Sequence, residues 1–318
     1  MPTIGFLNTL SQVNGDHLLA AFAKGVKDGL NRPFAYIGAG HDVPNLAANE
    51  VFICTRWADG NFDKLSPLAK ELKSLVPAPK VIAGTGGIRS AKAAETQTKT
   101  IPIVFISGRE ITNEHDDHTP NAKGVYLATT PFSVETLPGY RDLRSLGIPA
   151  SEIFCLVNKK SKVNDDEKDW TNHITVTNSD LDGAFTQIMQ LGNAAGGLLI
   201  SADPFFHDNK AKIVAFANNV FQKPVAYPFS EYVAAGGLMS AGVDLSGRYG
   251  AIGTWAADII NKGLSVKQLG ELRNKSKAKR LLVVNRGTAN SQLDKAKRSK
   301  LLGKADKVIS TARPKRAR

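Results

Sequence analysis

The chain has no apolar run approaching the ~20 residues needed to cross a bilayer. Its first residues, MPTIGFLNTL, lack a basic segment followed by an apolar one, so no secretory leader is read there. That leaves a cytoplasmic protein or a chain in mature form. Cysteine is scarce: Cys54 and Cys155 are far apart, each in an apolar run, which reads as two buried thiols rather than a disulfide or a metal pair. There is no G-x-x-x-x-G-K-[ST] phosphate loop, no G-x-G-x-x-G after the first apolar run and no G-x-S-x-G elbow. These absences argue against nucleotide-dependent enzymes and against serine hydrolases of that type. The cluster EHDDH (Glu114 to His118) has neither metal-ligand spacing nor further His or Cys nearby, and reads as a solvated loop. No enzyme activity, metal or cofactor is expected.

Charge balance is unremarkable over most of the chain and lopsided at one end. The net charge is +12, yet residues 271–318 hold 16 of the 41 Lys and Arg against three of the 29 acids, a local excess of +13. The remaining 25 basic and 26 acidic residues leave residues 1–270 at −1. The basicity therefore belongs to one terminal segment, ending in TARPKRAR, which reads as a tail. No aromatic residue follows Trp255, so that segment offers no stacking surface for bases, and nucleic-acid binding is not expected.

What is present is alternation. TIGFLN (3–8) reads as a strand, followed by a helix over 15–30 with Leu18, Leu19, Phe22, Ala23 and Val26 on one face. VFICTRW is a second strand, and 61–76 is a helix with Asn61 as its N-cap. KVIAGTGG ends a third strand in a glycine-rich turn, IRSAKAAETQ is a helix, and IPIVFIS (101–107) is a fourth strand. Polar, aperiodic residues 111–123 read as a loop. The pattern then resumes: a helix broken near Pro138, strands in EIFCLVN and HITVTN, a helix over 180–192, the GGLLIS strand, the helix NKAKIVAFANNVF and the strand PVAYPFS. No internal repeat is visible. At 318 residues this pattern predicts an α/β protein of two doubly wound parallel-sheet lobes, with ligands held at the carboxyl ends of the strands.

Two strand ends carry chemistry. In GTGGIRS, Thr85, Gly86 and Gly87 offer a hydroxyl, close backbone approach and the positive end of a helix, which suits a carboxylate or phosphate. A plain strand–helix turn has the same residues, since glycine favours such turns. In ISADPFF, Asp203 ends an apolar run beside Pro204, Phe205 and Phe206. Asp203 either meets a ligand ammonium or hydroxyl or caps the following helix. One of the two rings faces a ligand on the first reading; both are core on the second.

The order of these pieces resembles a known family, the solute-binding proteins of ABC transporters in the TrpX-like group, which includes tryptophan- and tyrosine-binding members. The residues that carry the resemblance are IGFLN, RWADGNFDKLSPLAKEL, GTGGIRSAKAAETQTKTIPIVFISG, SADPFF, the block KPVAYPFSEYVAAGGLMSAGVDLSGRYGAIGTWAADIINKG (223–263) and LLGKADKVI. They span well over half the chain in the right order. The resemblance implies a periplasmic type I binding protein, probing one small ligand with two lobes, its leader already removed. It implies an N-terminal lobe of 1–107 plus about 229–270, a C-terminal lobe of 108–228 plus about 279–310, and a tail at 311–318. It also implies that turns around Asn8, Thr9 and Ser11 and around Thr85 to Gly87 hold a ligand carboxylate, that Ser107 lies at the first crossover, and that Tyr227 to Glu231 lies at the second. Two stretches depart from the family: REITNEHDDHTPNAKGVY, and the polar KKSKVNDDEKDWTN after CLVN. Both are assigned to the second lobe, where ligand side chains are sorted, so the resemblance does not fix the ligand.

The expected function is thus a receptor that closes on an amino acid or a carboxylate-bearing aromatic or aliphatic acid and delivers it to a membrane permease, as a monomer. The alternative is a cytoplasmic ligand sensor of the same fold, its basic tail meeting an acidic partner.

Overall fold

A computed structural model describes residues 2–30, 36–38, 50–107, 120–126, 137, 139–159, 172–177, 179–269 and 280–311. Contacts divide the chain into two units, Met1–Thr129 with Leu245–Ala278, and Thr130–Asp244 with Lys279–Arg318.

The first unit is built on strands β1 (Thr3–Asn8), β2 (Tyr36–Gly38), β3 (Phe52–Trp57), β4 (Val81–Thr85), β5 (Ile103–Ser107) and β6 (Ala122–Tyr126). They form one parallel sheet in the order β2-β3-β1-β4-β5-β6. Strands β1, β4 and β5 are buried along their whole length. A parallel sheet covered on both faces needs apolar residues on both, which is why TIGFLN and IVFIS read as continuous runs rather than alternations. The helices are α1 (Gln12–Leu30), α2 (Leu65–Lys73), α3 (Ile88–Gln97) and, much later in the chain, α9 (Leu245–Lys262). The buried face of α1 includes the five expected residues. Asn61 caps the short 3-10 turn that leads into α2, its side chain accepting from the Asp63 N–H at 3.0 Å.

Helices α1 and α9 lie backbone to backbone. A Cβ at Gly25 would sit 2.0 Å from the Gly250 carbonyl oxygen, and one at Gly253 would sit 2.2 Å from that of Phe22. Only glycine permits that approach. It returns α9, some 240 residues downstream, to the end of β1, where the Asn8 amide donates to the Tyr249 hydroxyl at 3.2 Å.

The second unit contains α4 (Tyr140–Ser145), β7 (Ile153–Asn158), β8 (His173–Val176), α5 (Leu181–Gln190), β9 (Gly197–Ile200), α6 (Pro204–Asp208), α7 (Lys210–Phe216), β10 (Val225–Tyr227), α8 (Ser230–Ala234) and β11 (Met239–Gly242). After α9 it resumes with β12 (Leu281–Asn285), α10 (Arg286–Gln292), α11 (Lys295–Lys304) and β13 (Lys307–Ile309). The sheet order is β13-β12-β11-β10-β9-β7-β8, parallel except for β11 against β12.

Both sheets share a topology. With β2 of the first sheet and β12 and β13 of the second set aside, each places its second strand outside its first and its third to fifth on the other side: β3-β1-β4-β5-β6 and β8-β7-β9-β10-β11. The order reverses between β1 and β4 in one unit and between β7 and β9 in the other. In open α/β sheets ligands bind outside the carboxyl ends of the strands at such a reversal.

Several sequence expectations shift. Residues 122–126 form a strand, β6, on the edge of the first sheet, so residues 120–126 belong to the first unit rather than the second. Residues 229–244 belong to the second unit, because β11 pairs with β10 and β12. The long helix expected from 209 to 221 changes pitch, with a π turn over Ala217–Phe221. Residues 114–118, 160–171 and 312–318, which include the EHDDH cluster and most of the tail, lie outside the described residues. Both cysteines are buried and neither forms a disulfide; burial pushes the Cys54 thiol up although the Arg56 guanidinium beside it pulls the other way. Among the described residues no helix is long and apolar enough to cross a membrane.

Candidate functional site

In the first unit, Asn8 and Thr85 face each other in register at the ends of β1 and β4, the two strands flanking the reversal. Their side chains are committed to the turn. Asn8 Oδ1 accepts the Leu10 N–H at 2.8 Å, and the Thr85 hydroxyl donates to the Leu7 carbonyl at 3.0 Å. The Thr9 N–H donates to the Thr85 carbonyl at 3.3 Å, and the Gly60 N–H donates to the Thr9 carbonyl at 2.7 Å. Asn8, Thr9 and Thr85 are wholly buried. Ser11 is half-buried and its hydroxyl accepts from the Asn14 amide at 3.1 Å.

Gly86 and Gly87 are the accessible part. Gly86 has φ +79°, and a Cβ there would meet Asn8 Oδ1 at 2.7 Å and the Thr9 nitrogen at 2.8 Å. Gly87, at φ +115° and ψ 173°, precedes α3, and a Cβ on it would meet nothing within 4 Å. An L side chain is strained at either position. The open direction at Gly87 therefore lies beside the N-terminus of a ten-residue helix whose first turn holds no acid. The Thr9 hydroxyl, next to Gly86, is buried and makes no hydrogen bond among the described residues. Arg89, in the first turn of α3, lies with its guanidinium 5.0 Å from the Phe62 ring centre and adds positive charge to the helix end. Backbone donors, a helix dipole and a nearby cation together favour an anionic group. Ser107 is buried at the end of the next strand, β5.

In the second unit, Asn158 ends β7 and Asp203 follows β9, again across the reversal. Asp203 is the N-cap of α6: its Oδ1 accepts the Phe206 N–H at 3.1 Å and the Asn158 amide at 3.2 Å. Pro204 occupies the first helical position, where a missing N–H costs nothing. The cap fixes the phase of the helix and thereby separates the two rings. Phe206 is fully buried in the second unit's core; Phe205 is only partly buried, 5.9 Å away centre to centre. Around the cap stand His207, whose ring lies 5.8 Å from that of Tyr232, and Tyr227, stacked on Tyr232 at 5.0 Å. Tyr227 and Tyr232 are wholly buried, and burial pushes both phenols well above their usual range. The Asp203 carboxylate adds to that effect at Tyr232. Glu231 is half-buried in the first turn of α8 and accepts from its neighbour Ser230 at 3.3 Å.

Asn8, Thr9, Ser11, Thr85, Gly86 and Gly87 are thus brought together in the first unit, with Ser107 on the adjoining strand. Asp203 and Phe205 are brought together in the second, while Tyr227 packs inward against Tyr232 and Gly237. Asn158, His207 and Tyr232 were missed by sequence reasoning. Asn158 left a signal: TIGFLN and EIFCLVN are both apolar runs ending in asparagine, and both end the first strand of a unit.

No protein-family profile and no curated protein matches the chain. Solved structures do. A substrate-binding protein with adhesive properties from Clostridium difficile, in a ligand-free, open form, aligns over 98% of this chain and 100% of its own with TM-score 0.59 and 17% identity. A conserved domain protein from Vibrio cholerae aligns over 97% and 99% with TM-score 0.63 and 17% identity. A protein from Streptococcus pneumoniae described as an ABC domain in complex with L-Trp aligns over 96% and 100% with TM-score 0.62 and 16% identity. The fold is that of the type I solute-binding proteins. Within that fold the Gly86–Gly87 turn and the Asp203 cap occupy equivalent places, one in each lobe.

Proposed function

We propose that the chain is the solute-binding receptor of an ABC importer, working in the periplasm as a monomer, and that it captures a small organic ligand by lobe closure before delivery to the permease. The ligand is an amino acid or a carboxylate-bearing aromatic or aliphatic acid. Gly86, Gly87 and the N-terminus of α3 hold its carboxylate, with Ser11 at the rim. Asp203 and Phe205 meet its other end. The observation that carries this reading is the repetition of one topological feature: each lobe places polar groups at the strand ends beside the reversal, one set made of backbone donors, the other of a carboxylate. The L-Trp held by the similar Streptococcus pneumoniae protein supports the ligand class. The chain's role is binding rather than catalysis.

The test is a thermal-shift screen of L-amino acids, aromatic acids and small carboxylates. A ligand that binds only the folded chain raises the melting temperature with concentration, by about 2.7 kcal/mol of stabilisation at a hundredfold excess over Kd. The methyl ester of any hit should bind at least tenfold more weakly. No shift across the panel, or equal binding of acid and ester, refutes the reading.

A further inference from the structure

The basic excess of the C-terminal segment has a structural address. Residues 280–311 carry eight cations against two acids, and all but Arg298 of those cations are exposed. Both acids are occupied with the backbone: Asp294 caps α11 by accepting the Lys297 N–H at 2.8 Å, and Asp306 accepts the Leu282 N–H at 2.9 Å. Arg280 pairs with Asp142 and Lys297 with Asp294. Lys295, Arg298, Lys300, Lys304 and Lys307 make no ion pair among the described residues, and all lie on α11 or on β13, the edge strand of the second sheet.

Fold stability accounts for only part of this. Lysine on an exposed edge strand discourages strand addition, which covers Lys307. A cation in the last turn of a helix meets the negative end of its dipole, which covers Lys304. Lys295 and Lys297 sit in the first turn of α11, where the dipole opposes them and acids are the favoured residues. Of the helix, only Leu301 is fully buried; between the lysines the outward positions are Ala296, Ser299 and Gly303. The face is therefore a strip of long cations over small residues. It has no exposed large hydrophobic group: among the described residues those are Val13, Val76, Met189 and Val220. Nor has it an aromatic ring.

We propose that the α11–β13 face docks on an anionic bilayer surface. Protein interfaces rest on clusters of buried aromatic and arginine anchors, and single-stranded nucleic acid on stacking rings; this face has no ring and a single, half-buried arginine, Arg298. Five of its six cations are lysines, compact hydrated charges suited to a diffuse sheet of lipid phosphates rather than to bidentate contacts. Because residues 1–270 are near neutral, the attraction orients this segment toward the surface. The inference does not depend on what the strand-end site binds.

The experiment is co-sedimentation of the full chain with vesicles of phosphatidylcholine alone or containing about one third phosphatidylglycerol, across a salt series from about 0.05 to 0.5 M. The chain should pellet only with the anionic vesicles and be released as salt rises. The variant Lys295→Gln/Lys297→Gln/Lys300→Gln should partition on the order of a hundredfold less, at about fivefold per cation removed. Its melting temperature should hold or rise slightly, since two of the changes relieve the helix dipole, so lost binding cannot be lost folding. Equal pelleting with neutral vesicles, no pelleting with anionic ones at low salt, or an unchanged triple variant overturns the proposal. So does binding to duplex or single-stranded nucleic acid that persists at salt where vesicles release.

Discussion

The two strand-order reversals invite comparison because they start alike and end differently. Each begins with an asparagine closing the first strand, Asn8 in one unit and Asn158 in the other. In the first unit the partner strand runs into Gly86–Gly87, and what faces outward is backbone. In the second it runs into Asp203–Pro204, and what stands there is a carboxylate that also caps a helix. The first arrangement prefers an anion; the second prefers a group that donates. The first turn offers backbone donors, whereas at the second the proposed function asks one residue, Asp203, to serve ligand as well as fold. Substitutions should separate these roles.

The largest effect is expected at Phe206. Its ring is fully buried in the second unit's core, so Phe206→Ala should cost about 3–5 kcal/mol in urea unfolding. Phe205→Ala, one residue earlier and partly buried, should cost less than half as much and weaken an aromatic ligand more than it weakens the fold. Equal costs for the two would mean that the Asp203 cap does not set the helix phase.

Next comes the glycine turn. Gly86→Ala should cost about 2–4 kcal/mol, from a positive φ together with a methyl forced against Asn8 and Thr9. Gly87→Ala, with strain but no clash, should cost about 1–3 kcal/mol. Both should reduce affinity for a carboxylate ligand, read by titration on the folded variants. A neutral Gly86→Ala would show that the turn is not held against Asn8.

Asp203→Ala removes a cap and the acceptor of the Asn158 amide, for about 2 kcal/mol. That is smaller than Phe206→Ala because one hydrogen-bonding oxygen is lost rather than a ring. An unfolding free energy within error of wild type would assign Asp203 to the ligand alone.

How far these regions were legible follows from what each leaves in the chain. The glycine turn was readable because positive φ beside a helix start demands glycine, and two in succession are conspicuous. The Asn61 cap and the buried strands of the first unit were readable for similar local reasons. The choice between Phe205 and Phe206 was not, because adjacent helical residues differ by about 100° and only the cap fixes the rotation. The division of the chain at 229–244 failed for a different reason. β11 joins the second sheet through pairing with β10 and with β12, which lies some 40 residues further along and runs antiparallel. Short apolar runs such as MSAG carry no mark of which sheet they enter. The two-lobe topology was visible as alternation, while its repetition, lacking any sequence repeat, was visible only in strand order.

The smallest change in stability should come from the substitution that cuts most cleanly between fold and site. Asp203→Asn keeps an oxygen able to accept from Phe206 and from Asn158, so the cap survives and the cost should stay below about 1 kcal/mol. What it removes is charge. If the second reversal receives a ligand ammonium, affinity should fall about 10–100-fold, the loss expected for a hydrogen bond to a charged group. A carboxylate ligand without an amine should bind the variant as well as wild type, since its anion meets the Gly86–Gly87 turn instead. Running both ligand types against Asp203→Asn and Gly87→Ala separates the two groups: an amino acid loses affinity in both variants, whereas a carboxylate without an amine loses it only in Gly87→Ala. An amine-free carboxylate that responds equally to both variants would collapse the distinction between the two reversals, and unchanged affinity of an amine-bearing ligand in Asp203→Asn would leave Asp203 a helix cap and nothing more.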